Sequence, residues 1–208
     1  PRHADSSPCG GAGALAGFDC DGDGNFTVAD YANDPAFTPV VAGEKCLNGM
    51  DPQTPSTTDR MAGDLNRNCI LDPGDLILMF SDGVDDDGNG YIDDIAGWDF
   101  FRNDNDPYDD TRYGHGTGEA NDSSAEAQNN MGGIGTCPHC MFIPLRVGES
   151  FITDSNDFAK ALVYATDNGV KVIQEALGTI NQTAVSREAI DWAYARGGII
   201  DASMADGK

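Results

Sequence analysis

Three stretches of this chain set oxygen-bearing side chains at alternate positions around a turn, and a fourth sets a histidine among glycines. The first runs from Asp19 to Asp30 (DCDGDGNFTVAD), with carboxylates at positions 1, 3, 5 and 12 (Asp19, Asp21, Asp23, Asp30) and Gly24 at position 6. Asn25 at position 7 offers a backbone carbonyl, and Phe26 at position 8 points to apolar contact. Calcium takes six to eight oxygens in a flexible shell, and alternating acids about a glycine turn supply them. The second runs from Asp64 to Asp75 (DLNRNCILDPGD), with oxygens at Asp64, Asn66, Asn68, Asp72 and Asp75, Ile70 at the carbonyl position and Leu71 at position 8. Its position 6 is Cys69, where a sharp turn calls for glycine. The third begins at Asp85 and places Asp87, Asn89, Tyr91 and Asp93 at positions 3, 5, 7 and 9, but Ala96 at position 12, so the bidentate ligand is missing. The fourth stretch, Gly114-His115-Gly116-Thr117-Gly118, suits an exposed general base, because the glycines turn tightly and leave the ring accessible. A surface-loop histidine is the plainer reading of that motif.

The elements around these motifs change period along the chain. Residues 1–17 are small and glycine-rich and read as loop, and residues 34–60, with four prolines, read as irregular connecting chain. Asp72 as N-cap before Pro73 predicts a helix over about 75–80. From residue 97 onward strands and helices alternate: strands over 97–101, 141–147, 170–177 and 199–204, helices over 117–129, 156–168 and 183–196. Phe158, Leu162 and Ala165 share one helix face, as do Ile190 and Tyr194, with Gly169 and Gly197-Gly198 as stops. The alternation predicts an α/β fold with a parallel, helix-covered sheet, preceded by a small loop-rich calcium-binding region. The expected division is 1–84 and 85–208.

Composition narrows the partners. The 208 residues carry 35 Asp and Glu against 12 Lys and Arg, a formal charge of −23. That argues against nucleic acid and anionic membranes and favours multivalent cations. The longest aliphatic run near the middle, Leu76 to Phe80, is too short to span a bilayer. Six cysteines suggest an oxidising, secreted or extracellular setting. Cys9, Cys20, Cys46 and Cys69 allow three pairings. Cys137-Pro138-His139-Cys140 precedes a strand, which favours a short-loop disulfide over a redox dithiol or a metal site. Asn25, Asn121 and Asn181 head glycosylation sequons. The chain starts abruptly at Pro1, so a processed or incomplete chain is expected.

The first and second acidic loops resemble EF-hands, and the second also resembles a dockerin repeat, in which Phe26 and Leu71 would pair the loops back to back. The second half of the chain resembles the subtilases. Residues 135–147 (GTCPHCMFIPLRV) resemble the strand G-x-A-P-x-A-x-I-x-P-[VL]-R-V. Residues 170–178 (VKVIQEALG) resemble the substrate-lining strand V-x-V-I-x-x-S-L-G, and residues 202–206 (ASMAD) resemble A-A-A-G-N. With His-Gly-Thr these fall in subtilase order, and DDDGNGYIDD with GWDF is similar to an insertion seen in many bacterial subtilases. The resemblance implies a serine peptidase acting on peptide substrates. His115 would be the base, Ala176, Leu177 and Gly178 would line the substrate, and Asp206 would stand at the oxyanion position. The orienting carboxylate would be Asp82 or lie upstream of Pro1. Gly118 stands where the family has a second histidine, Ala176 where it has serine, and no Gly-Thr-Ser nucleophile motif occurs in these residues. Three readings follow: a secreted calcium-stabilised subtilisin-like peptidase segment lacking its nucleophile, a non-catalytic calcium-dependent structural or assembly protein on that scaffold, or a dockerin-like binding module joined to an α/β domain.

Overall fold

The computed structural model describes residues 28–31, 44–48, 51–60, 63–85, 87–109, 114–125, 127, 132–138, 140–149, 154–175 and 183–202. They fall into two compact units, one ending at Ile95 and the other starting at Ala96, and each is described by itself.

In the first unit β1 (Lys45–Asn48) pairs antiparallel with β2 (Asp51–Asp59), Lys45 opposite Asp59 and Asn48 opposite Asp51. The prolines had pointed to irregular chain here. Among the described residues β2 pairs with β1, and the pairing is irregular, shifting register between Lys45 and Leu47 and between Leu47 and Asn48, which suits prolines that give no amide to the ladder. Helix α1 (Pro73–Phe80) starts two residues before the expected 75, since Asp72 accepts from the Gly74 amide at 2.8 Å and Asp75 answers from N3 to close a capping box. Leu76 is buried and packs with Val28, Leu71, Met79, Phe80 and Ile95, the core of this unit. Leu71 therefore makes its apolar contact with α1, and Phe26 lies outside the described residues.

The second unit is built from parallel strand pairs and helices. β3 (Trp98–Asp99) pairs with β4 (Leu145–Arg146), and β5 (Val172–Glu175) pairs with β6 (Ile199–Ala202) over four residues. Helices α2 (His115–Ser124), α3 (Ser155–Asp167) and α4 (Ala184–Ala195) separate them in sequence. Ala159, Leu162 and Ala189 form a core with Phe158, Ile173, Ile190 and Ile200, so α3 and α4 cover the face of β5–β6 that carries the two isoleucines. Tyr164 of α3 meets Phe100 edge-on, 5.8 Å between ring centres.

Several boundaries differ from expectation for identifiable reasons. Strand 97–101 shrinks to two residues because the Asp99 carboxylate accepts from the Phe101 and Arg102 amides and Asp99 bridges back to Asp104. Its partner shrinks with it, from 141–147 to 145–146, leaving Met141 and Phe142 exposed. Gly97 (φ 102°) lets β3 approach its partner, for a Cβ there would sit 2.0 Å from the Pro144 carbonyl oxygen. Helix α2 runs 115–124 rather than 117–129, since the amides of Gly135, Thr136 and Cys137 return to take the carbonyls of Ala125, Asp122 and Ser123. On α4 the packed face is Ser186, Ala189 and Ala193, and Tyr194 is 77 % exposed rather than sharing a buried face with Ile190. Small residues let α4 come close enough for the Ser186 hydroxyl to donate to the Ser155 carbonyl at 3.2 Å.

Candidate functional site

His115 is the first residue of α2, directly after Gly114. Its Nε2 lies 3.4 Å from Glu119 Oε1, one helical turn on. The other oxygen of Glu119 accepts from Gln174 Nε2 on β5 at 2.8 Å. A chain His115–Glu119–Gln174 thus joins the glycine-flanked histidine to β5. At the same helix end the Asp109 carboxylate accepts from the amide and the hydroxyl of Thr117, each at 3.3 Å. Asp82 follows α1 rather than a strand, lies in the first unit, and accepts from the Val84 amide at 2.9 Å. Ala176, Leu177, Gly178 and Asp206 lie outside the described residues.

Sequence reasoning overlooked Glu119 and Gln174, whose bond spans 55 positions, and also Glu175. Burial raises the Glu175 carboxyl above its ordinary value, and its Oε2 has no hydrogen-bond partner among the described residues. It also overlooked the buried ion pair between Asp99 and Arg146 on the paired strands β3 and β4. The signal was present, because each charge interrupts an apolar strand and burying one alone is costly.

The acidic loops are rings of carboxylates and amides aimed at backbone amides. In the Asp64 loop, Asp64 Oδ1 accepts from the Asn68 amide (3.0 Å) and Oδ2 from the Cys69 amide (3.1 Å), while Asn66 accepts from Asn68 (2.9 Å) and Asn68 from Ile70 (2.7 Å). Asp75 Oδ1 accepts from Leu65 and Asn66, and its Oδ2 from Asp72. Asp64 and Asp75 are fully buried, and among the described residues neither pairs with a Lys or Arg side chain. Asp and Asn oxygens are the donor types that suit a hard divalent cation, but the group of three titratable ligands close enough to share an ion among the described residues is Cys46, Asp64 and Cys69, whose two sulfurs are bonded to each other. Asp30, the last position of the first loop, is buried too, whereas Asp19, Asp21, Asp23 and Asn25 lie outside the described residues. In the Asp85 loop, burial raises the Asp87 carboxyl above its ordinary value. The charge of Asp94 adds to the rise, the Asn89 amide opposes it, and Asp85 adds a little more.

Cys46 pairs with Cys69, and Cys137 with Cys140, so the CPHC segment carries the short-loop disulfide. Cys9 and Cys20 lie outside the described residues, as do Asn25 and Asn181, while Asn121 is exposed on α2. No helix among the described residues is long and apolar enough to cross a membrane.

Residues 28–207 match the Subtilase family. This chain belongs to the subtilases. Among curated relatives, a thermophilic serine proteinase of Bacillus sp. (strain AK1) is 32% identical over 137 residues, 64% of this chain and 33% of that protein. Thermitase of Thermoactinomyces vulgaris is 28% identical over 175 residues, 84% of this chain and 57% of its own length. Subtilisin-like protease 1 of Plasmodium berghei (strain Anka) is 28% identical over 124 residues, 59% of this chain and 20% of that protein. The chain thus spans between a third and somewhat over half of the first two relatives. Its helices and parallel strand pairs make up part of the α/β subtilisin-like fold.

Proposed function

We propose that this subtilase chain is part of a secreted, calcium-stabilised serine endopeptidase that acts on peptides, with His115 as its general base. The observation that carries this is the chain from His115 through Glu119 to Gln174. It ties the base to β5, next in sequence to Ala176, Leu177 and Gly178, which by their resemblance to the family's substrate-lining segment would align a peptide by its backbone. His115 would take the proton of an attacking hydroxyl, and Glu119 is close enough to hold the ring and offset its positive charge when protonated. Asp82 is the weaker candidate for that orienting role, being committed to the Val84 amide. The division into a loop-rich calcium-binding region over 1–84, with EF-hand-like or dockerin-like loops, and an α/β segment over 85–208 belongs to the same reading. Calcium would be held by Asp64, Asn66, Asn68 and Asp75, by Asp85, Asp87, Asn89 and Asp93, and by Asp19, Asp21, Asp23 and Asp30, with carbonyls at Asn25, Ile70 and Tyr91. It would supply the positive charge these carboxylates lack.

A second reading is a calcium-dependent structural or assembly protein on the same scaffold. It is favoured by Asp206 at the oxyanion position, where a carboxylate repels the charge that develops in acyl transfer. Labelling with a fluorophosphonate, which reacts with an activated serine, separates the two. The 208-residue chain is expected to stay unlabelled. A longer native form carrying a Gly-Thr-Ser motif should be labelled, and His115→Ala should abolish the labelling. Silence of the longer form would sink the peptidase reading.

A further inference from the structure

Residue 69 occupies a left-handed backbone conformation, φ 72°, and it is not glycine. At the same position of the Asp85 loop stands Gly90, φ 91°. A side chain in this region costs energy that glycine avoids, and Arg67 of the same loop carries that cost too, at φ 67°. At Cys69 the hydrogen bond from its amide to Asp64 is joined by a covalent tie, the disulfide to Cys46. Cys46 sits buried on β1, with 5.5 Å between the two Cα atoms. The connection is reinforced on both sides: the Leu47 amide donates to the Arg67 carbonyl, and Arg67 Nη2 donates to the Lys45 carbonyl at 3.1 Å. Cys46 Sγ lies 3.7 Å from Asp64 Oδ2, the same oxygen that accepts from the Cys69 amide.

We infer that the Cys46–Cys69 disulfide is a redox latch on the Asp64–Asp75 loop. Closed, it stands in for the missing glycine; opened, it frees residue 69 to leave the left-handed turn and scatters the oxygen donors. Cys46 is buried and Cys69 partly exposed, so a dithiol reductant attacks the Cys69 sulfur and expels Cys46 as a thiolate, which takes up a proton. The second thiol of the reductant then displaces Cys69 from the mixed disulfide. Two thiols remain on the protein and the reductant closes to its own disulfide. That calcium gains or loses affinity with the latch rests on the calcium reading above; the latch itself rests on the backbone.

The test uses the full chain with two double variants. Cys46→Ala with Cys69→Gly removes the bond but restores the residue type that the turn favours. Cys46→Ala with Cys69→Ala removes both. Deuterium exchange is followed over peptide 64–75, with peptide 85–94 as internal reference. The alanine variant should exchange about tenfold faster in 64–75, the equilibrium equivalent of one non-glycine left-handed residue, and the glycine variant should stay near wild type. Equal exchange in the two variants sinks the latch whatever calcium does. If calcium protects neither peptide in wild type while the variants still differ, the calcium reading fails and the latch stands. Should both variants lose the reference protection as well, alkylation of Cys46 and Cys69 in native wild type under dithiothreitol decides. In chelator, exchange over 64–75 must rise in step with alkylation while 85–94 keeps its protection, and reduction that leaves 64–75 unchanged overturns the proposal.

Discussion

The Asp64 and Asp85 loops make the same four hydrogen bonds at the same positions. In each, the amide of position 5 reaches the side chains of positions 1 and 3, position 6 reaches position 1, and position 7 reaches position 5. They differ in how the ring is closed. The Asp64 loop runs into α1, where the buried Asp75 takes three backbone amides. The Asp85 loop has Ala96 at that position and closes through neighbours instead: Asp93 accepts from the Gly83 amide and Asp94 from the Asn89 side chain. The ring is therefore a local property of alternating Asp and Asn, while its rigidity is set by what lies at position 12. One loop is locked by a helix and a disulfide, and the other by glycine and short side chains.

The largest effect should come from removing the lock. Asp75→Ala leaves the Leu65, Asn66 and Asp72 amides without their acceptor in a buried setting, and each orphaned group costs about 1–3 kcal/mol. A loss of about 3 kcal/mol or more is expected in urea unfolding followed by far-UV circular dichroism. A loss under about 1 kcal/mol would mean that Asp75 does not close the ring. Next in size is withdrawal of calcium. At a free concentration one hundred times the dissociation constant a bound ion stabilises by about 2.7 kcal/mol, so excess chelator should lower the melting temperature strongly. The Asp85 loop, lacking a carboxylate at position 12, should lose its deuterium protection at a milder chelator concentration than the Asp64 loop. Release in the opposite order would break the comparison. A smaller effect follows from Gly90→Ala, which forces a side chain into φ 91° and should cost about 1–2 kcal/mol. Cys69→Ala alone should cost more, since it removes the disulfide while leaving a side chain at φ 72°.

The hydrogen-bonded turns of these loops follow from residues within about a dozen positions, because alternating Asp and Asn side chains reach the amides next to them, while the calcium expected there is a proposal. Helix faces containing Leu162 and Ala165 were readable for a similar reason, through local periodicity. What could not be read depends on distant partners. The end of α2 is set by amides 135–137 arriving from elsewhere. The short β3 and β4 limit each other, and β2 forms through its prolines in an irregular pairing with β1 whose register shifts twice. The site divides in the same way. His115 stands out as a candidate by its flanking glycines, whereas the bond that Gln174 gives its neighbour Glu119 spans 55 positions and depends on tertiary structure. Cys69 is the instructive case. As a departure from glycine it weakened the loop assignment, yet a left-handed cysteine anchored by a disulfide performs glycine's role.

The smallest and sharpest prediction concerns Asp87, because it should change sign. Burial and the charges of Asp94 and Asp85 raise its carboxyl above the ordinary value, which means that the ion-free loop disfavours the ionised form. Asp87→Asn keeps the shape and the oxygen that accepts from the Asn89 amide, gives up the exposed acceptor of Asn89 Nδ2, which water and Asp94 replace, and removes one repelling charge. In chelator at neutral pH it should therefore stabilise the protein, by an amount on the order of a few tenths of a kcal/mol given screening of a half-exposed group. In saturating calcium the same charge is attractive, so the substitution should destabilise. The two urea midpoints, with and without calcium, must move in opposite directions. The equivalent position of the other loop is already an amide, Asn66, so Asn66→Asp should do the reverse: destabilise in chelator and stabilise in calcium. If both substitutions shift the midpoint the same way in both conditions, the loops are hydrogen-bonded turns whose charges have no ion to answer.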